Sequence, residues 1–186
     1  YRVQGKRYGI ARVVGTFFMN YNQTLFEEAG VELPQPDWSY DDFLAAAVAL
    51  TKGEGTDKTY GCAGFDNATA TIVHTWQRGG DIVNEDRSRY TLNEEPGVRA
   101  AQFIQDLNHV HKVQATSTEL SGVSSTEVFE SGRIGMLPRI FPVFPEEGTP
   151  YIFDIQHLPH KGLNQVTRTA FDGFSIPVSY THLRAH

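Results

Sequence analysis

Short apolar runs and capped helical runs take turns along this chain, and that alternation restricts its fold more than any single motif. Lys6 to Ala11, Thr16 to Tyr21, Tyr60 to Ala63, Ile134 to Leu137, Phe153 to Leu158 and Ala170 to Pro177 read as short strands. Helical patterns lie between them. Tyr40, Phe43, Leu44, Ala47 and Val48 recur at helical spacing and form one apolar face. Strand followed repeatedly by helix predicts the α/β class.

The punctuation supports these elements. Asn22 can cap a helix over Gln23 to Ala29 that stops at Gly30. Pro34 to Asp37 is a stiff loop, and Ser39 with Asp42 resembles a capping box. Asp66 or Asn67 can start a helix reaching Gln77, halted by Gly79 and Gly80. Ile82-Val83 and Arg89 to Leu92 read as a small hairpin. Pro96 marks another helix start, with Ala100, Phe103, Ile104, Leu107 and His111 on one face. Val123 to Ser131 reads as a short helix ending at Gly132.

Composition narrows the function classes. Twelve Phe, eight Tyr and two Trp, within 40% apolar residues, supply a real core. The formal charge of −6 comes without any basic cluster, which argues against nucleic acid as the main partner. The longest apolar run, Phe43 to Leu50, falls far short of the ~20 residues of a membrane span. One Cys excludes an internal disulfide and a cysteine zinc cage. Residues 178–186 resemble a translated sequencing adapter and are expected not to belong to the fold. Without them the chain has 15 basic and 22 acidic residues, a formal charge of −7. Tyr1 is not an initiator Met, so the missing signal segment says nothing about export.

A search for catalytic groups finds no nucleophile elbow, P-loop, dinucleotide fingerprint or zincin spacing. Gly79-Gly80-Asp81 ends a helix and so reads as a cap and turn. Glu146 and Glu147 are adjacent in a loop and read as solvated rather than as a glycosidase pair. His109 and His111 face apart on a helix, and His157 and His160 lack a carboxylate or thiol to complete a metal site. Cys62 reads as a small core residue. No cofactor, metal or catalytic residue is expected. Aromatic residues at element ends, Trp76, Phe141, Tyr151 and Phe171, can instead stack on sugar faces or serve as packing. Asp81, Arg139 and Asp172 can bond hydroxyls, Arg139 through its planar fork.

Gly5, Tyr8 and Gly9 are followed by Asn20-Tyr21-Asn22 and by Leu25-Phe26-Glu27-Glu28-Ala29-Gly30. Then come Trp38-Ser39, Leu50-Thr51, Tyr60-Gly61 and Trp76 with Gly79-Gly80-Asp81. Phe129 to Met136, Phe153 to Pro159 and Asp172 to Ile176 complete the series. In this order the motifs resemble the sugar-binding, extracellular solute-binding proteins of ABC importers. Departures occur where Asp172-Gly173 replaces a double glycine, and where Pro138-Arg139-Ile140-Phe141 stands in place of a Trp.

This resemblance implies an internal fragment of a two-lobed periplasmic-binding-protein (type II) fold. Residues 1–21 would be hinge or first-lobe crossover strands, 22–170 mostly the second lobe, and 171–177 the return strand. Thr16, Trp76, Asp81, Arg139, Phe141 and Asp172 are the expected ligand contacts, with Asp81 also serving the turn. The ligand would be a sugar or sugar-like solute, handed to an ABC permease on the periplasmic or extracellular face. Membrane contact would come only through the permease or a lipid anchor. A carbohydrate-processing enzyme fragment, or a same-fold receptor for an anion or polyamine, are the alternatives.

Overall fold

The computed structural model describes residues 2–3, 6–144 and 146–174. Strands β1 (Arg2–Val3) and β2 (Lys6–Arg7) pair with each other. Strand β3 (Ile10–Thr16) pairs antiparallel with β9 (Thr169–Phe174), making a separate two-stranded ribbon. The strand expected at Lys6 to Ala11 is thus divided. Its first half belongs to the β1–β2 pair, and β3 starts only at Ile10.

The main body is a five-stranded mixed sheet in the order β6-β5-β7-β4-β8. Its members are β4 (Phe18–Asn22), β5 (Tyr60–Ala63), β6 (Gln114–Ala115), β7 (Ile134–Arg139) and β8 (Phe153–Gln156). β5 runs parallel to β6 and β7, while β4 is antiparallel to both its neighbours. β7 continues through Pro138, two residues beyond the expected end at Leu137. Pro138 lies past the last pair with β5, Cys62 opposite Met136, so its missing N–H interrupts no bond on that side.

Helices α1 (Gln23–Ala29), α2 (Tyr40–Leu50), α3 (Ala68–Gln77), α4 (Glu95–His109) and α5 (Ser125–Glu130) fill the connections. Their ends follow local chemistry. The Asn22 carboxamide accepts from Leu25 N–H at 3.2 Å, and Gly30 closes α1 in the left-handed region. Ser39 and Asp42 form a reciprocal capping box on α2, and Ser124 with Glu127 forms another on α5 that the sequence reading missed. Asn67, not Asp66, caps α3.

Two expectations change. Residues 82–92 make one isolated bridge, Val83 with Tyr90, because Asn84 turns its side chain onto Arg89 N–H and Ser88 Oγ and tightens the loop. His111 lies beyond the end of α4 and is exposed, so of the expected face Ala100, Phe103, Ile104 and Leu107 remain.

The larger core gathers Met19, Phe26, Phe43, Phe65, Val73 and Leu107, each at most 1% exposed, between the sheet and the helices α1 to α4. Burial of each such side chain contributes about 1.5–3 kcal/mol. Phe129, Ile134 and Leu137 centre a smaller cluster around α5. Close backbone approaches lock the layers. A Cβ on Gly61 would lie 2.0 Å from the Ala47 carbonyl oxygen, so α2 packs directly on the β5 backbone. No helix among the described residues is long and apolar enough to cross a membrane.

Candidate functional site

The parallel strands β5, β6 and β7 end at Ala63, Ala115 and Arg139, and antiparallel β4 begins at Phe18 on the same edge. Open α/β sheets bind ligands outside this edge, where the chain leaves the strands to form loops. The β3–β9 ribbon joins the sheet here. Phe17 N–H donates to the Arg168 carbonyl at 2.9 Å, and the Thr167 hydroxyl donates to the Phe17 carbonyl. Beside this junction is a cavity of about 440 Å³, whose walls include Thr16, Phe18, Gln77, Gln156, His157 and Thr167. A volume of that size fits a small solute.

One wall of the cavity is braced from the core. Gln77 is 1% exposed, and its amide donates to the Pro159 carbonyl at 2.8 Å while its oxygen accepts from Tyr40 Oη at 2.5 Å. Burial raises the Tyr40 pKa well above the usual phenol value, so its hydroxyl stays a donor. His74 stacks among Tyr40, Phe65 and Phe103, and burial followed by the Arg78 charge lowers its pKa to about 3. Arg78 lies over the Tyr40 and Phe103 rings at 5.3 and 5.7 Å. The end of α3 is therefore held by an aromatic and hydrogen-bonded network capped by the Arg78 cation.

Three of the expected contact residues lie near the ribbon junction, and of these Thr16 lines the cavity while Arg139 and Phe141 do not. Thr16 is exposed and lines the cavity. Arg139 sits opposite Phe18 in the β4–β7 register, and its Nη1 donates to Thr126 Oγ1 at 2.6 Å. Phe141, 48% exposed, follows on the turn that touches Gly15 of β3. An aromatic face, a guanidinium with further donors and a hydroxyl thus share one edge.

The other candidates lie apart. Trp76 is half-buried against the main core, and its Nε1 donates to the Asp81 carboxylate at 2.8 Å. Asp81 also accepts from Ile82 N–H at 2.7 Å, and the two bonds, with Trp76 the larger influence, lower its pKa. Neither residue lines the cavity; together they close the turn after α3. Asp172 faces solvent on the ribbon and pairs with Arg12 at 2.6 Å, which lowers its pKa. Three register positions separate it from the Thr16–Thr169 pair, roughly 10 Å along a strand. Tyr151 packs its ring over Gly132 and beside Phe153. The Phe171 side chain is outside the described residues, as are residues 175–177 of the expected last strand and the adapter-like 178–186.

Sequence reasoning missed Arg168 and Gln77. Arg168 reaches the Thr69 hydroxyl on the first turn of α3, carried there by the segment that enters β9. An Arg between two Thr just before a strand was its signal. Gln77 was visible only as a polar residue on an apolar helix face. His157 and His160 approach edge to face at 6.3 Å, and no group of three metal-ligating side chains occurs among the described residues. Glu146 and Glu147 are exposed in their loop.

Comparison with known proteins bears on the family and the fold. Residues 3–153 match the family described as bacterial extracellular solute-binding protein. An arabinooligosaccharide-binding protein of Halalkalibacterium halodurans is 30% identical over 113 residues, covering 61% of this chain and 24% of that protein. An ABC substrate-binding protein of Listeria monocytogenes, solved with cycloalternan, superimposes with a TM-score of 0.85 at 26% identity, over 97% of this chain and 46% of that one. The GacH receptor of Streptomyces glaucescens, solved unliganded and with acarbose, matches in fold at 24% identity and a TM-score of 0.73, over 98% of this chain and 47% of that one. The chain spans less than half the length of these relatives.

Proposed function

The chain belongs to the bacterial extracellular solute-binding protein family, and from that premise we propose that it is the ligand-contacting part of a receptor that captures a sugar or sugar-like solute for an ABC importer. The family places it on the periplasmic or extracellular side, and its relatives are binding proteins rather than enzymes. The observation that carries the proposal is the junction itself. A two-stranded ribbon leaves an α/β body beside a cavity lined by Thr16, and the turn that carries Arg139 and Phe141 packs against that ribbon at Gly15.

Each group has a role that its chemistry suits. The exposed face of Phe141 stacks on the C–H face of a sugar ring. Arg139 is held at one corner by Thr126 and offers its remaining N–H groups to paired hydroxyls. Thr16 donates and accepts at the mouth of the cavity. In the full-length protein the ribbon would link this body to a second lobe, so that ligand bridging both favours the closed form. The closed form would then dock on the permease, whose ATPase drives transport, so binding and closure need no catalytic group.

The test is thermal stability of the full-length protein across a panel of linear and cyclic oligosaccharides. At least one should raise the melting temperature, and Arg139→Ala should remove that rise. A rise with an inorganic anion or a polyamine and with no sugar contradicts the proposal.

A further inference from the structure

We propose that Gly15 is a positioning residue that couples the ribbon to the ligand-facing turn Arg139–Phe141; this deepens the receptor reading and rests on it for its meaning. Gly15 is buried near the end of β3, paired with Ala170 of β9, and its backbone is not left-handed. Backbone freedom therefore does not explain a glycine here. Space does. A Cβ at this position would lie 2.1 Å from Ile140 Cγ2, 3.1 Å from Phe141 Cε1 and 3.2 Å from the Ile140 carbonyl oxygen.

Those neighbours have little room to yield. Ile140 is β-branched and stiff, and it packs against the main core. Arg139, one residue earlier, is tied into β7 and to Thr126. On its other side the ribbon is tied to the lobe by Arg168, whose guanidinium donates to the Thr69 hydroxyl of α3. A tilt of the ribbon relative to the body must therefore press on Ile140 or release it. The side chain free to follow is Phe141, which is half-exposed. Contact between a ligand and Phe141 transmits the opposite way, because coupling of two sites is reciprocal. The glycine keeps ribbon and turn in direct contact, so the angle between lobes and the position of the aromatic platform change together.

The experiment is a cycle of Gly15→Ala, Ile140→Ala and the double variant in the full-length protein. Hydrogen exchange without ligand is read at the Phe17 and Val143 amides, which donate to the Arg168 carbonyl and the Asn20 side chain on either side of the contact, and oligosaccharide affinity is read by calorimetry. Gly15→Ala should raise exchange at both amides and weaken affinity, each by about tenfold or more, as overpacking of this kind does. In the Ile140→Ala background, which lacks Cγ2, the same Gly15→Ala change should cost much less on both readouts. Unchanged exchange in Gly15→Ala, or equal losses in the two backgrounds, overturns the coupling. Failure of the wild-type protein to bind any oligosaccharide counts against the receptor reading alone, and the ligand-free exchange then decides the role of Gly15.

Discussion

At the scale of single residues, the molecule is governed by contacts that leave no slack. Gly61 touches the α2 backbone, and the nearest atoms, those of Ala47, cannot rotate away. Gly61→Ala should destabilise the full-length protein by about 3 kcal/mol or prevent folding, as chemical denaturation would show. His74 makes a second prediction. Its folded pKa of about 3 lies below its ordinary value of 6.5. Between those values the unfolded chain holds a proton that the folded chain refuses. Stability is thus complete above pH 6.5 and falls as pH drops, by about 1.4 kcal/mol per pH unit for this one group. His74→Phe, which keeps the aromatic packing, should flatten that slope between pH 6.5 and 5 in urea melts. Among the described residues the buried Nδ1 of His74 has no hydrogen-bond partner, so no contact there rewards taking up a proton.

Elements with chemical punctuation were legible, and those held by tertiary pairing were not. Asn22, Ser39 and Gly30 mark the ends of α1 and α2 because their side chains or conformations satisfy orphan backbone groups locally. The two-residue β6 has no such mark; it exists because Cys62 and Ala63 of β5 pair with it. The split between β2 and β3 likewise depends on partners distant in the chain. The site follows the same rule. Arg139 and Phe141 were expected contacts from their residue types and their place after a strand, whereas Arg168 and Gln77 make their contacts only when the 157–168 segment folds along α3. Trp76 and Asp81 carry residue types suited to sugars, yet they bond each other. A prediction at this scale concerns the α2 cap. Ser39→Ala should cost about 1 kcal/mol at neutral pH. Asp42, whose pKa is lowered by Ser39, stabilises the fold above the ordinary carboxylate range and loses that effect as pH falls through its folded value. The Ser39→Ala deficit measured by urea unfolding should therefore shrink in acid.

For the whole molecule, the decisive relation is between the ribbon and the body. Exposed apolar side chains crowd the ribbon, with Ile10 65%, Val14 58% and Phe174 69% exposed. Such a surface suits a strand pair that runs between two lobes, and the solved relatives of this fold are about twice as long as this chain. The central claim is that a sugar draws those lobes together about β3 and β9. Small-angle X-ray scattering of the full-length protein, with and without the oligosaccharide that raises its melting temperature, tests this directly. The radius of gyration should fall on ligand addition in the wild type and stay unchanged in Arg139→Ala. A bound oligosaccharide that leaves the wild-type radius of gyration unaltered would contradict the account.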